Sequence, residues 1–437
     1  MSEYHKNILL NYLFKILAMG ISMLCARVNI QYLGNHLYGL WATIASVVSW
    51  MGSGDLGIGN GLRNELTKAF AEKDRQKEKK LLYTAMASLA RVSAGLMVLL
   101  VIMCEIFYAS AILDSTVRIP MYITGIFFCL NLVLGVFQAA AYSFQKSWLV
   151  SVSGLVTPVL SFCIVYGLII TKTGADLLLF SLVNGISITA ANILLLIYFR
   201  TKGITAACST IKKNYDRSAA RSITNTGLQF FGIQICAVIL YSTDNLIIQH
   251  LFDSSQVTKY AVITKIYYTG NSMFSIMLIS LWSAVTFQIT RGNIEWIRKN
   301  IRRLLAVWMF FCIGVAAVSA NMNGIVRLWL GNSASYYSKD IVILFGAYSC
   351  ITAFSAIYTN VLNGLGRVRL QFILAVSGAV INIPLSVFFA KGLGMGLIGV
   401  KLATFISVLT GAVCMPLQVY FLIKKRNDKK DWRGAGR

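Results

Sequence analysis

Apolar residues fall in long runs along this chain, separated by short polar segments that alternate between rich and poor in Lys and Arg. A helix needs about 20 mostly apolar residues to cross a bilayer. On that rule about twelve runs qualify, roughly 8–30, 38–59, 81–108, 119–144, 149–170, 176–198, 225–249, 258–288, 304–325, 341–363, 371–390 and 397–423. The pattern predicts an all-α integral membrane protein. Two polar segments have a helical period of their own. Leu62, Leu66, Ala69 and Phe70 share one face, as do Ile294, Ile297, Ile301 and Leu304, each opposite a charged face. Both are predicted as short helices lying on the inner membrane surface.

Composition agrees with the pattern: 57% of residues are apolar, 13% are charged and the mean hydropathy is +0.68. The first run is too long for a cleaved leader, contains Lys15 and Arg27 and lacks a small-residue cleavage site, so it is expected to remain as the first span. The net charge of +24 raises nucleic acid as a partner, and the position of the charges decides against it. About 29 Lys and Arg lie on the side that holds both termini, about 6 on the other and about 5 within spans, which makes the termini cytosolic. The basic stretches Arg63 to Lys80, Arg200 to Arg221, Arg291 to Arg303 and Lys424 to Arg437 set topology and attract anionic lipid, at about 1 kcal/mol per charge near the surface. No aromatic-interleaved basic groove accompanies them, so no nucleic acid is expected. The nine Cys are dispersed without a C-x-x-C, and His5, His36 and His250 are far apart. Neither a metal site nor a cofactor is expected.

The chain repeats itself once. Tyr38 and the residues after it are echoed from Tyr260, Lys146 by Arg367, Ser153-Gly154 by Ser377-Gly378, and Pro158 by Pro384, all at an offset of about 221–226 residues. Two six-helix lobes of the same orientation, related by a pseudo-two-fold axis along the membrane normal, account for this. The expected division is 1–199 for the first lobe, 200–221 for a basic cytosolic linker and 222–437 for the second lobe with a basic tail. Pro158 and Pro384 each remove a helix hydrogen bond in mid-span and permit a paired kink, which suits lobes that rock.

Lys15, Arg27, Arg91, Lys265 and Lys401 lie inside apolar runs. Each costs about 2.5–3.5 kcal/mol at a bilayer centre, so they are expected to face protein or water. Arg27, Arg91 and Lys401 can instead reach the interface by extending along the helix. Lys15 and Lys265 have less freedom and are placed in a cavity. The acids within spans, Asp55, Glu105, Asp176 and Asp244, all lie near span ends, so the cavity is expected to be net positive and to suit an anionic ligand. Asp55 and Asp244 are the candidates for ion coupling; pairing with the buried cations is the plainer role for them. No nucleophile beside a base, metal spacing or P-loop is present. The patterns Gly52 to Gly57 and Gly394 to Gly399 match G-x-G-x-x-G but follow no strand. Transport is therefore expected rather than catalysis.

Gly57, Gly59 and Gly61 sit where the second run meets charge, in Asp55-Leu56-Gly57-Ile58-Gly59-Asn60-Gly61-Leu62-Arg63-Asn64. Missing side chains at alternate positions predict a hinge or a close helix contact. Together with Tyr32-Leu33-Gly34 and Tyr38-Gly39-Leu40-Trp41, this stretch resembles the first helices of the Wzx polysaccharide flippases, members of the multidrug/oligosaccharidyl-lipid/polysaccharide exporter superfamily. The resemblance implies a MATE-like, V-shaped transporter of the bacterial inner membrane, taking part in lipopolysaccharide O-antigen or capsule biosynthesis. Its implied ligand is an undecaprenyl-diphosphate-linked oligosaccharide repeat unit, moved from the cytosolic to the periplasmic leaflet, with membrane lipids and other polysaccharide assembly proteins as partners. Lys15, Arg27 and Lys265 are the positions that could supply the cationic cavity of such a flippase. A cation-coupled drug or small-molecule antiporter on the same fold is the alternative, and a membrane glycan polymerase or ligase stands behind it.

Overall fold

The computed structural model describes residues 3–109, 115–203, 215–252, 254–330 and 336–434, and it is almost entirely helical. In chain order the helices are α1 (Glu3–Met51), α2 (Ile58–Glu72), α3 (Arg75–Ala109), α4 (Ser115–Ser143), α5 (Ser147–Ile170), α6 (Leu177–Thr201), α7 (Arg217–Leu251), α8 (Ser254–Thr290), α9 (Ile294–Ala320), α10 (Met322–Leu330), α11 (Lys339–Leu365), α12 (Arg369–Val387) and α13 (Gly396–Gly434). Among the described residues, ten helical segments are long and apolar enough to cross a membrane. Of the other runs the sequence marks, 38–51 is the second part of α1 and 225–249 lies in α7.

Local chemistry explains where the helices stop. α1 contains the first run and most of the second, and breaks at Gly34, whose φ of 69° is open to a residue without a Cβ. Asp176 caps α6, accepting from the backbone N–H groups of Leu178 and Leu179 at 2.7 and 3.3 Å. Asn293 caps α9 through Trp296 N–H at 3.2 Å. Gly366, at φ 66°, closes α11 in the left-handed conformation. Pro158 is accommodated inside α5. Pro384 lies near the end of α12, which passes at Phe388 into a π turn over Phe388–Gly392.

The chain forms two compact units, Met1–Phe231 and Gly232–Arg437. In the first, α1 packs on α5, α4 on α3 and α6, and α2 on α3 and α4. In the second, α11 packs on α8, α9 and α13, and α12 on α13. The first turns of α7 belong to the first unit. Most of the expected linker, residues 204–214, lies outside the described residues.

Three expectations change with the structure. The run 38–59 is not one span: the helix ends at Met51, a 3₁₀ turn covers Gly52–Asp55, and Leu56 and Gly57 are both left-handed before α2 begins. α2 does not lay its apolar face on lipid: Leu62, Leu66 and Ala69 are fully buried against Leu82, Ala140 and Ile223 in one core. Residues 294–304 are not a separate helix either, but the first turns of α9, with Ile294, Ile297, Ile301 and Leu304 buried. An amphipathic period shows that a face is covered; it does not show whether lipid or protein covers it.

Candidate functional site

The second unit buries a carboxylate and an amine together. α7 carries Asp244 and α13 carries Lys401, each only 4% exposed. Tyr260 of α8 donates its hydroxyl to Asp244 Oδ2 at 2.5 Å. Thr404, one turn beyond Lys401, donates to Oδ1 and Oδ2 at 2.9 and 3.1 Å. Asn382 of α12 donates from Nδ2 to Thr404 Oγ1 at 3.1 Å, and its Oδ1 is buried with no hydrogen-bond partner among the described residues. The ammonium of Lys401 lies over the rings of Tyr348 and Phe345 of α11, 3.3 and 4.6 Å from their centroids, and its charge acts on Asp244. Five helices thus converge on one charged pair. Two hydroxyls hydrogen-bond the carboxylate and two aromatic faces lie against the cation, which offsets part of the cost of burying either.

The remaining sequence-marked residues are spread over both units. Lys15 is half-buried on α1, and Arg27, further along the same helix, is exposed. Arg91 is exposed on α3, its guanidinium 4.7 Å from the centroid of the Tyr215 ring. Lys265 is exposed on α8, with its ammonium 5.9 Å from the Trp329 ring. Lys401, which sequence position allowed to reach the interface, is the cation the structure buries most completely of the five. Asp244 and Lys401 are brought together. Asp55 is half-buried and takes a local role: its oxygens accept from Gly57 N–H and Gly59 N–H at 2.9 and 3.3 Å and cap α2.

The glycines divide. Gly57, at φ +69°, touches Gly227 of α7 so closely that a Cβ there would overlap the Gly227 carbonyl oxygen, and a Cβ at Gly61 would overlap that of Ile223. Both positions are close backbone contacts within the first unit. A Cβ at Gly59 would meet only the Asp55 carboxylate, at 3.2 Å. Beside them Arg63 is buried, with its guanidinium 4.4 Å from the centroid of Tyr142, and burial pushes it down to about 10, so it stays charged at neutral pH.

Sequence reasoning missed Tyr260, Asn382 and Thr404 as members of the cluster, and Phe345 and Tyr348 as the rings over its cation. One signal was available: Lys401 and Thr404 are three apart on a helix and therefore share a face. The rest of the cluster depends on tertiary pairing across the unit.

No protein-family model and no curated sequence matches the chain. Solved structures do. A MATE transporter in its bent conformation superposes with a TM-score of 0.79 at 12% identity, covering 98% of each chain. An outward-facing multidrug resistance MATE family transporter of the MOP superfamily gives 0.77 at 13% identity, over 98% of this chain and 97% of the other. A MOP superfamily transporter from Pyrococcus furiosus, described as having a binding pocket of reverse polarity, gives 0.76 at 13% identity over the same shares. The chain therefore has the fold of the MATE transporters, over nearly its full length.

Proposed function

We propose that this protein is a flippase for a lipid-diphosphate-linked oligosaccharide, moving an undecaprenyl-diphosphate-linked O-antigen or capsule repeat unit from the cytosolic to the periplasmic leaflet of a bacterial inner membrane by alternating access. Its termini would be cytosolic, and polysaccharide assembly proteins would be its neighbours. The fold supports transport, since the solved structures that share it are described as transporters. The observation that carries the substrate class is the sign of the charge within the apolar helices. Lys15, Arg27 and Lys265 stand without an ion pair among the described residues, while Asp244 already faces Lys401 and Asp55 caps α2. Uncompensated cations at membrane depth suit a diphosphate, which offers several charged acceptors at once.

A second reading, a cation-coupled drug antiporter, is favoured by the Asp244 cluster. If the Lys401 ammonium withdrew, Asp244, Thr404 and the Asn382 carbonyl would offer oxygen ligands to a proton or a monovalent cation. The two readings separate in one experiment. Purified protein is placed in sealed vesicles carrying a fluorescent undecaprenyl-diphosphate oligosaccharide, and the protected inner-leaflet fraction is read with an impermeant quencher. Protein-dependent loss of protection, reduced by Lys15→Ala, is expected. Full protection, together with ion-gradient-driven ethidium transport by the same vesicles, would favour the antiporter.

A further inference from the structure

Away from the charge cluster, the second unit holds a cavity of about 710 Å³ between α9 and α11, within the roughly 300–1,000 Å³ of small-molecule sites. Cys312, Ala316 and Ala320 form one wall at helical spacing, and Ile343, Ala347 and Cys350 form the other. The α11 wall runs from Lys339 to Cys350, about 16 Å at 1.5 Å per residue. One end is closed by the start of α10, where Asn323 and Tyr337 exchange two hydrogen bonds, at 2.9 and 3.1 Å. The walls are open along their length: Ala316, Ile343 and Ala347 are exposed, and Phe310 and Ile313 beside them are 74% and 65% exposed. Both helices have the length and composition to cross a membrane. What reaches an apolar groove there is a hydrocarbon chain.

The rim adds a sign. Lys339 lines the mouth and makes no ion pair among the described residues. Arg327 is exposed on α10, and Lys265 lies over Trp329 of the same helix. Lys259 lies 5.7 Å from the Tyr337 ring. Asp340 is an acid on this rim, placed in the first turn of α11, where it faces that helix's positive end. The balance remains positive, and a groove that ends on cations selects a chain carrying an anionic head. We propose that this groove is a binding site for an anionic phospholipid of the surrounding bilayer, with one acyl chain between α9 and α11 and the phosphate on Lys339. Such a lipid covers the small-residue gap between the two helices, which water fills poorly and protein leaves open.

The test uses the purified full-length protein, stripped of lipid in detergent, then titrated with phosphatidylglycerol or phosphatidylcholine and read by native mass spectrometry. One phosphatidylglycerol is expected to bind tightly, with phosphatidylcholine much weaker. Lys339→Ala should weaken that binding about fivefold, the effect of one near-surface cation. Ala347→Phe, which fills the groove from an exposed wall position, should abolish it. A measurement on the unaltered chain stands beside these: maleimide modification of Cys312 and Cys350, read residue by residue by peptide mapping, should slow with phosphatidylglycerol and not with phosphatidylcholine. Equal protection by both lipids, or by neither, would overturn the site, as would an Ala347→Phe protein that keeps its phosphatidylglycerol. Displacement of phosphatidylglycerol by undecaprenyl diphosphate at equal concentration would assign the groove to the transported lipid instead.

Discussion

The two units solve the same problem, polar groups inside apolar helices, with different chemistry. In the first unit a neutral amide network joins the helices. Asn131 Nδ2 donates to Thr189 Oγ1, Asn192 Nδ2 to Asn131 Oδ1 and Gln138 Nε2 to Asn192 Oδ1, each at 2.8 Å, joining α4 to α6. Asn11 joins α1 to α5 in the same way, through Ser147 at 2.9 Å and Ser151 at 2.8 Å. The second unit has neutral bonds too, such as Asn271 Nδ2 to Ser349 Oγ at 2.7 Å, but it adds a buried charged pair, Asp244 and Lys401, with hydroxyls and rings around it. Amide pairs in a membrane hold helices by modest amounts, whereas a buried charge depends wholly on its partner. The contrast makes Asp244 and Lys401 the pair whose loss should cost the most.

The largest effect should come from splitting the pair. Asp244→Asn alone or Lys401→Met alone leaves one buried charge uncompensated and should cost about 3–5 kcal/mol. The double variant should recover most of that loss. Thermal unfolding in detergent across the four proteins gives the coupling energy. Additive losses would mean that the two charges do not depend on each other, and the contrast between the units would fall.

Next come the glycines of the first unit. Gly61→Val drives a branched side chain into the Ile223 carbonyl, and Gly57→Val adds a strained φ to a similar overlap with Gly227. Each should destabilise by at least about 1–3 kcal/mol. Gly59→Val should be milder, because only the Asp55 carboxylate stands in its way. Equal losses at Gly59 and Gly61, in the same unfolding assay, would show that helix propensity rather than close approach governs this turn.

A smaller loss is expected from the neutral network. Asn192→Leu removes two hydrogen bonds between α4 and α6 and should cost about 0.6–2 kcal/mol. A loss as large as that of Lys401→Met would erase the distinction between the two kinds of core.

What the residues alone disclosed follows the same line between local and tertiary causes. The apolar runs are local, and most of the helices follow them. The burial of α2 was not legible, because Leu62, Leu66 and Ala69 report an apolar face without naming its partner. Nor was the exchange of roles between Lys265 and Lys401. Both stand in apolar runs, and only the rotation of each helix within the unit decides that Lys401 is buried beside Asp244 while Lys265 is exposed beside Trp329. The close approach at Gly57 and Gly61 could be inferred from missing side chains; that Gly227 and Ile223 would meet them could not.

The smallest expected change in stability is at the exposed cations, and there the two units can be compared directly. Arg91 of the first unit stacks on Tyr215, and Lys265 of the second lies over Trp329. Exposed pairs of this kind are worth about 0.5–1 kcal/mol, so Arg91→Ala and Lys265→Ala should unfold within a few degrees of the parent protein. Their transport should differ. Arg91 has a ring partner in a segment tied to α3 by the Asp216 N–H to Thr84 Oγ1 hydrogen bond, at 3.1 Å, and its loss should leave lipid-diphosphate flipping nearly unchanged. Lys265 lies on α8, a helix long and apolar enough to cross a membrane, without an ion pair among the described residues, and its loss should slow flipping, with Lys265→Arg retaining more activity than Lys265→Ala. Initial rates in the vesicle assay, measured at matched protein content, separate the two. Normal flipping by Lys265→Ala would make that lysine a surface contact like Arg91, and the charge important to transport would then have to be sought at Lys15 or in the Asp244 cluster.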